Sequence, residues 1–203
     1  KDCHLTGTIV HIAIENSYMG HIIIADEIKE DSPAAISALK SLGFNKMIML
    51  TGDNEKVGKS ISKELGLTGV FAELMPEDKV KIYEEIKSGN TLPVIFTGDG
   101  LNDAPVIAGA DIGIAMGISG SQAAIDYADL ILMDDQPSKI PLAIKGARKT
   151  MRIINQNIYF SIGIKVFVLI VSALGFSNMQ YAIFADVGVM ILAVLNSFRT
   201  MRL

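Results

Sequence analysis

Three features of the sequence predict an α/β domain with a doubly wound parallel sheet, followed by a hairpin of two apolar helices. Strand and helix signals alternate from residue 26 to about 140. The short motifs TGD and TGDG stand directly after apolar, strand-like runs. Two long apolar segments then occupy 158–176 and 181–198. A β-α-β-α series gives a parallel sheet covered by helices on both faces. Ligands in such sheets bind at the carboxyl ends of the strands, where these motifs fall.

The elements follow in order. Residues 8–25 stand apart: TIVHIAI, then ENS, then YMGHIIIA reads as a β-hairpin with a short turn. Asp26 and the DEIKEDSP stretch open the α/β region, and Ser32-Pro33 starts a helix over PAAISALKSLG. KMIML (46–50) is a strand ending at TGD, and VGKSISKEL (57–65) has helical spacing. GVFAEL (69–74) is a strand. EDKVKIYEEIKS (77–88) is an amphipathic helix with Val80, Ile82, Tyr83 and Ile86 on one side. VIFTGD (94–99), DIGIAM (111–116) and DLILM (129–133) are further strands.

Composition narrows the function classes. Half of the 203 residues are hydrophobic, and the mean hydropathy of +0.39 is high for a soluble protein. A net charge of −4 gives no reason to expect a nucleic-acid partner. The single cysteine, Cys3, excludes an internal disulfide framework. The sequence begins with Lys1 and shows no signal peptide, which reads as a piece of a longer chain.

The apolar segments are 19 and 18 residues long and are separated by SNMQ alone. A spanning helix needs roughly 20 mostly apolar residues, so the pair reads as a transmembrane hairpin in a lipid bilayer. From Lys145 onward there are seven basic residues and one acidic, Asp186. All the basic residues except Lys165 lie outside the apolar runs, on the side away from SNMQ. The positive-inside rule then predicts a multi-pass protein of the cell membrane, with residues 1–155 and the C-terminus in the cytoplasm.

GDGLNDAP (98–105) is the richest stretch. Asp99 follows a buried strand, and Gly98 and Gly100 let the backbone turn and approach a ligand closely. Asp103 lies one helical turn further on, so both carboxylates can face one point. Such hard oxygen ligands suit Mg²⁺, which takes one or two carboxylates and shares its remaining positions with water and phosphate. Asn102 could donate to a phosphate oxygen, and Thr51 and Asp53 of TGDN bring a hydroxyl and a third carboxylate to the same edge. Lys79 could supply positive charge to a phosphate. TGD alone is an ordinary turn sequence. TGDN, PEDK and GDGLNDAP in this order argue against plain loop aspartates.

MLTGDN (49–54), LMPEDKV (74–80), FTGDGLNDAP (96–105), ADIGIAMG (110–117) and ADLILM (128–133) resemble the phosphorylation domain of P-type ATPases, a haloacid-dehalogenase-like fold. The likeness runs over essentially the whole chain and is strongest to heavy-metal exporters of the zinc/cadmium/lead branch. The resemblance implies that Asp99 binds Mg²⁺ and that Asp103 supports that site. It implies that Thr51 of TGD contacts the phosphoryl group, as does Lys79; Gly52 and Asp53 of the same motif and Asn102 stand with them as candidate catalytic residues. The hairpin looks like the last strands of a nucleotide-binding domain, residues 26–147 like the phosphorylation domain, and residues 148–203 like two membrane helices. GSQAAIDYAD departs slightly from the family, which often has an acidic or small residue after GS or GT there.

Lys165 and Asp186 are the charged residues inside the apolar runs. Intramembrane charges are costly and usually functional. Lys165 lies roughly 10 Å and Asp186 roughly 18 Å from the cytoplasmic ends of their helices, and a long lysine can lean across that difference. A snorkelling lysine and a polar packing residue are the plainer reading. The resemblance favours a site for the transported Zn²⁺ or Cd²⁺, because the zinc/cadmium branch carries an intramembrane lysine and aspartate here. Asn155, Asn157 and Asn196, near the span ends, read as interfacial or helix–helix contacts.

The family's nucleophile, the aspartate of DKTGT, does not occur in these 203 residues, nor do CPC or TGE. Phosphoryl transfer through an aspartyl-phosphate needs that nucleophile. The expectation is therefore the C-terminal part of an ATP-driven exporter, inactive alone. Its partners would be the actuator domain, the rest of the nucleotide-binding domain and the other membrane helices, and most of the ATP pocket would lie outside the chain. The alternative is a membrane-anchored, non-catalytic Mg²⁺-binding fragment or regulatory remnant. A soluble phosphatase fits less well, because the apolar runs have no place in it. The histidines His4, His11 and His21 form no evident cluster with Cys3, and His11 and His21 read as outward-facing hairpin residues. The ten methionines read as packing.

Overall fold

The structure, a computed structural model, describes residues 8–15, 17–24, 27–99, 101–117, 120–175 and 179–201. Cys3, His4, Asp26, Gly100 and part of the SNMQ connection lie outside the described residues. The chain forms two compact units, Lys1–Pro141 and Leu142–Leu203.

The first unit begins with an antiparallel hairpin, β1 (Thr8–Ile14) and β2 (Ser17–Ile24). The α/β elements follow: α1 (Ser32–Ser41), β3 (Ile48–Leu50), α2 (Glu55–Leu65), β4 (Gly69–Phe71) and α3 (Pro76–Ser88). After them come β5 (Ile95–Gly98), a 3₁₀ turn (Leu101–Asp103), α4 (Ala104–Gly109), β6 (Ile112–Met116), α5 (Gln122–Tyr127) and β7 (Leu130–Leu132). All the pairings among β3 to β7 are parallel, as the crossover helices between them require. Among the described residues they pair as two ladders, β3–β4 and β5–β6–β7, both parallel as expected from the sequence.

Local chemistry sets the helix limits. Asn54 caps α2 by accepting the Val57 N–H at 3.0 Å, and Gly66 ends that helix at φ 64°, a left-handed conformation that suits glycine. Pro76 opens α3, whose missing N–H costs nothing in a first turn. The Asp78 carboxylate accepts the Met75 N–H there. Ser121 caps α5 by accepting the Ala124 N–H at 3.1 Å.

The core gathers around α4 and β6: Ala104, Ile107, Ala115 and Ala124 are buried, with Phe96, Ala123, Ile125 and Ala128 packed against them. Tyr83 of α3 is buried as its helical spacing predicts, and its hydroxyl has two polar partners. It donates to the Val94 carbonyl at 3.0 Å and accepts the Asp111 N–H at 2.9 Å. Asp111 accepts the Val94 N–H and pairs with Lys87 at 2.9 Å. The Val94 bond first, and then Lys87, hold the Asp111 carboxyl below its ordinary value, while Asp111 holds Lys87 above its own.

Asp31 ties the two ends of the α/β region together by accepting the Ser138 N–H at 2.8 Å, and Lys29 donates to the Asp135 carbonyl at 3.0 Å. Burial alone would raise the Asp31 carboxyl; the bonds from Ser138, together with Asp31's own backbone N–H and the charge of Lys29, outweigh it and leave Asp31 lowered.

Helix α6 runs from Lys139 to Ala173, 35 residues, and α7 from Met179 to Ser197, 19 residues. By length and composition α6 can cross a membrane. It starts well before the apolar run, because LAIKGARKTMRIINQN is a good helix former without being apolar. Within the second unit the two helices are joined by side-chain amides. Asn157 donates to the Ala193 carbonyl at 3.1 Å and to the Ser197 hydroxyl at 3.0 Å, and Asn196 donates to the Asn157 carbonyl oxygen at 2.8 Å.

Candidate functional site

The site is built from the carboxyl ends of β3 and β5. At the end of β3, the Thr51 hydroxyl donates to Asp53 Oδ2 at 2.8 Å and accepts the Asp53 N–H at 3.1 Å. This closed turn is braced from the next loop: the Glu73 N–H donates to the Asp53 carbonyl at 2.8 Å, and the Leu74 N–H to the Thr51 carbonyl at 3.1 Å. Glu73 takes a positive φ of 57°, an uncommon conformation for a non-glycine residue and one at which its N–H reaches Asp53. Gly52 and Asp53 are exposed and Thr51 is half-buried.

The same loop leads into α3 and so to Lys79. Its ammonium lies 2.7 Å from Asp103 Oδ1, and the two side chains keep only 13% and 11% of their exposure. Asp103 is therefore a buried carboxylate with its charge matched. It also packs on Gly98 of β5: a Cβ there would come within 2.7 Å of the Asp103 Cβ and 2.9 Å of its Oδ2. The glycine is required by the neighbouring aspartate, where the sequence alone suggested approach to a ligand.

Asp99 is exposed at the end of β5. Its carbonyl accepts the Ser121 N–H at 3.2 Å, so the residue that caps α5 also fixes the backbone that presents Asp99. Asn102 is exposed in the 3₁₀ turn. Sequence reasoning missed Ser121 and Glu73. A serine directly before a short helical run is a capping signal and could have pointed to the first; nothing local marks the second.

The structure thus joins Lys79 to Asp103 and Thr51 to Asp53, and it leaves the Asp99 carboxylate exposed. Among the described residues no group of three or more His, Cys, Asp or Glu side chains could hold a metal ion. The available donor set fits Mg²⁺, which needs only one or two carboxylates and completes its shell with water and phosphate. In the second unit, Lys165 Nζ lies 3.1 Å from Asp186 Oδ1, so the two charges inside the apolar helices face each other.

Residues 3–111 match the model of the haloacid dehalogenase-like hydrolases, more than half of the chain. The chain belongs to that family. The haloacid dehalogenase-like part takes in the β3 and β5 strand ends and both of their aspartate motifs.

Relatives extend the likeness over nearly all the residues. The chain is 53% identical, over 97% of its length, to the cadmium, zinc and cobalt-transporting ATPase of Bacillus subtilis strain 168. It is 50% identical, again over 97%, to the zinc-transporting ATPase of Synechocystis sp. strain PCC 6803. It spans 28% of each of those proteins. A crystal structure of a zinc-transporting PIB-type ATPase in its E2.Pi state superimposes with a TM-score of 0.85 at 37% identity, over 96% of this chain and 31% of that one. The likeness to metal-transporting P-type ATPases seen in the motifs is thus shared by the chain as a whole.

Proposed function

We propose that this chain is part of an ATP-driven exporter of heavy-metal cations of the Zn²⁺, Cd²⁺ and Pb²⁺ class. It works through an aspartyl-phosphate whose nucleophile lies upstream of Lys1 in the parent protein. The observation that carries this reading is one chain holding two things: a strand-end edge with Thr51, Lys79–Asp103 and Asp99, and an apolar helix pair holding a Lys165–Asp186 ion pair. Relatives named for cadmium and zinc transport support it.

The residues divide the work. Thr51 holds a hydroxyl ready to turn from Asp53 to a phosphoryl oxygen, with Gly52 and Asn102 as neighbouring donors. Lys79, held by Asp103 at the same edge, supplies fixed positive charge. Asp99 would hold Mg²⁺ and Asp103 would support it; the ion neutralises charge on the transferring phosphoryl group when bound. Among the described residues β3 and β5 each pair on one side only, which leaves room for the strand carrying the nucleophile.

Residues 1–25 act as the last strands of the nucleotide-binding domain, 26–147 as the phosphorylation domain, and 148–203 as a two-span hairpin of the cell membrane. The basic residues before α6's apolar run and after α7 keep residues 1–155 and the C-terminus in the cytoplasm. Lys165 neutralises Asp186 between transport cycles, and a divalent cation arriving at the carboxylate releases it.

Reading the coding frame upstream of Lys1, and sizing the natural chain with an antibody to residues 26–140, tests the reading. The expected result is a chain several times longer whose frame contains DKTGT and CPC. A natural chain starting near Lys1 contradicts it and favours a non-catalytic, membrane-anchored Mg²⁺-binding remnant.

A further inference from the structure

The hairpin β1–β2 carries a cluster that the phosphoryl and transport chemistry does not use. His11 and His21 are direct cross-strand partners, with ring centroids 6.2 Å apart. The pairing passes from Ile12–Gly20 to Ala13–Tyr18, so Met19 is the extra residue of a β-bulge. In a regular strand, residues 18 and 21 would point to opposite faces. The bulge restores the phase and brings Tyr18 onto the histidine face; bulges re-aim side chains in this way. The Tyr18 oxygen lies 2.9 Å from His21 Nδ1 and 3.4 Å from His11 Nδ1. All three side chains are exposed.

We propose that His11, His21 and the Tyr18 oxygen form a surface site for a zinc-class divalent cation, with water in the fourth position. Imidazole nitrogen suits Zn²⁺, Co²⁺, Ni²⁺ and Cu²⁺. With metal–ligand distances of about 2.0–2.1 Å, neighbouring donors of a tetrahedral site stand about 3.3 Å apart. The two N···O separations already bracket that value. Bringing the imidazoles to a tetrahedral angle requires their centroids to close by about 1 Å, which exposed rings achieve by side-chain rotation. The phenol has one proton and so can donate to only one Nδ1; the other imidazole must donate to the phenol oxygen. Binding expels both bridging hydrogens, one to the far nitrogen of its ring and the phenol's to solvent, as metal binding generally does.

The opposite face of the hairpin bears Val10, Ile12 and Ile22, all exposed in this chain. Burial against further protein favours that apolar face and leaves the histidine face toward water.

The test uses the full 203-residue chain in detergent, titrated with Co²⁺ as a visible stand-in for Zn²⁺. All samples carry Asp186→Asn, so that the intramembrane carboxylate does not contribute. The expected result is one tetrahedral-type Co²⁺ absorption band, displaced by Zn²⁺ and absent in His11→Ala/His21→Ala. Tyr18→Phe should weaken binding at least about tenfold, the lower end of what even outer-shell changes cost. An unchanged band in the double variant overturns the site, and unchanged affinity in Tyr18→Phe overturns its three-donor geometry. A second measurement needs no variant: Zn²⁺ should protect His11 and His21 of the unaltered chain from diethyl pyrocarbonate, mapped by mass spectrometry. Equal modification with and without Zn²⁺ also overturns the proposal.

Discussion

Replacing Lys79 with methionine isolates the contact on which the strand-end edge depends. The substitution keeps the length and apolar stem of the side chain and removes the charge facing Asp103 at 2.7 Å. Both side chains are nearly buried, at 13% and 11% exposure, so water screens the pair little and cannot rehydrate the abandoned carboxylate without local opening. Removing one partner of a buried pair costs about 3–5 kcal/mol. The residual exposure places Lys79→Met near the lower end, about 3 kcal/mol. That is a large share of the roughly 5–15 kcal/mol that stabilises an ordinary domain. Lys79→Met/Asp103→Asn leaves no stranded charge and keeps the shape against Gly98, so it should cost about 1 kcal/mol; because Asp103→Asn alone also strands a charge, the coupling should be at least about 2 kcal/mol. The assay is hydrogen exchange by mass spectrometry over peptides spanning β5 and α4, at several urea concentrations, for both single variants and the double. A coupling below about 0.5 kcal/mol, the scatter expected of independent sites, would refute the reasoning.

Other consequences are equally open to measurement. Ile107, 1% exposed in the core of the first unit, should lose about 2–5 kcal/mol on substitution by alanine, read as a lower thermal midpoint. The Asp111 carboxyl is lowered in the folded state, so its contribution is complete above the ordinary value of 3.8 and is lost as pH falls below 3.8 through the folded value. Protection of the Val94 amide, which donates to Asp111, should fade in that acid window in the native chain and be absent already at neutral pH in Asp111→Ala. Asn157→Ala removes the amide that reaches Ala193, Ser197 and Asn196. With the two helices in a bilayer, as proposed, such hydrogen bonds average about 0.6 kcal/mol each, so the helix pair should weaken by about 1–2 kcal/mol in an unfolding titration.

The sequence carried the local features and lost the non-local ones. Each strand expected between residues 46 and 133 is present in a shorter form, because alternating apolar runs and their Gly- and Asp-rich ends are local signals. The division into ladders β3–β4 and β5–β6–β7 was not legible, since strand neighbours depend on backbone pairing that no hydropathy pattern encodes. The Lys79–Asp103 bond joins residues 24 apart through the packing of α3 on the turn before α4, and spacing has no signature for it. The first half of α6 carries no span signal, because residues 139–157 are helical and mixed in character rather than apolar. His11 and His21 are exposed, as the alternation of the hairpin leads one to expect. Their approach to Tyr18 depends on a bulge at Met19 that regular alternation hides.

The most direct test of the central claim is ATP-driven zinc accumulation in vesicles holding the complete parent protein, compared with its Asp99→Asn and Asp186→Ala variants. Zinc uptake should require ATP and Mg²⁺. Asp99→Asn should abolish it with loss of the acid-stable phosphoenzyme, and Asp186→Ala should abolish zinc stimulation while the protein stays folded. Uptake unchanged by both substitutions, or no ATP-driven uptake by the unaltered protein, would contradict it.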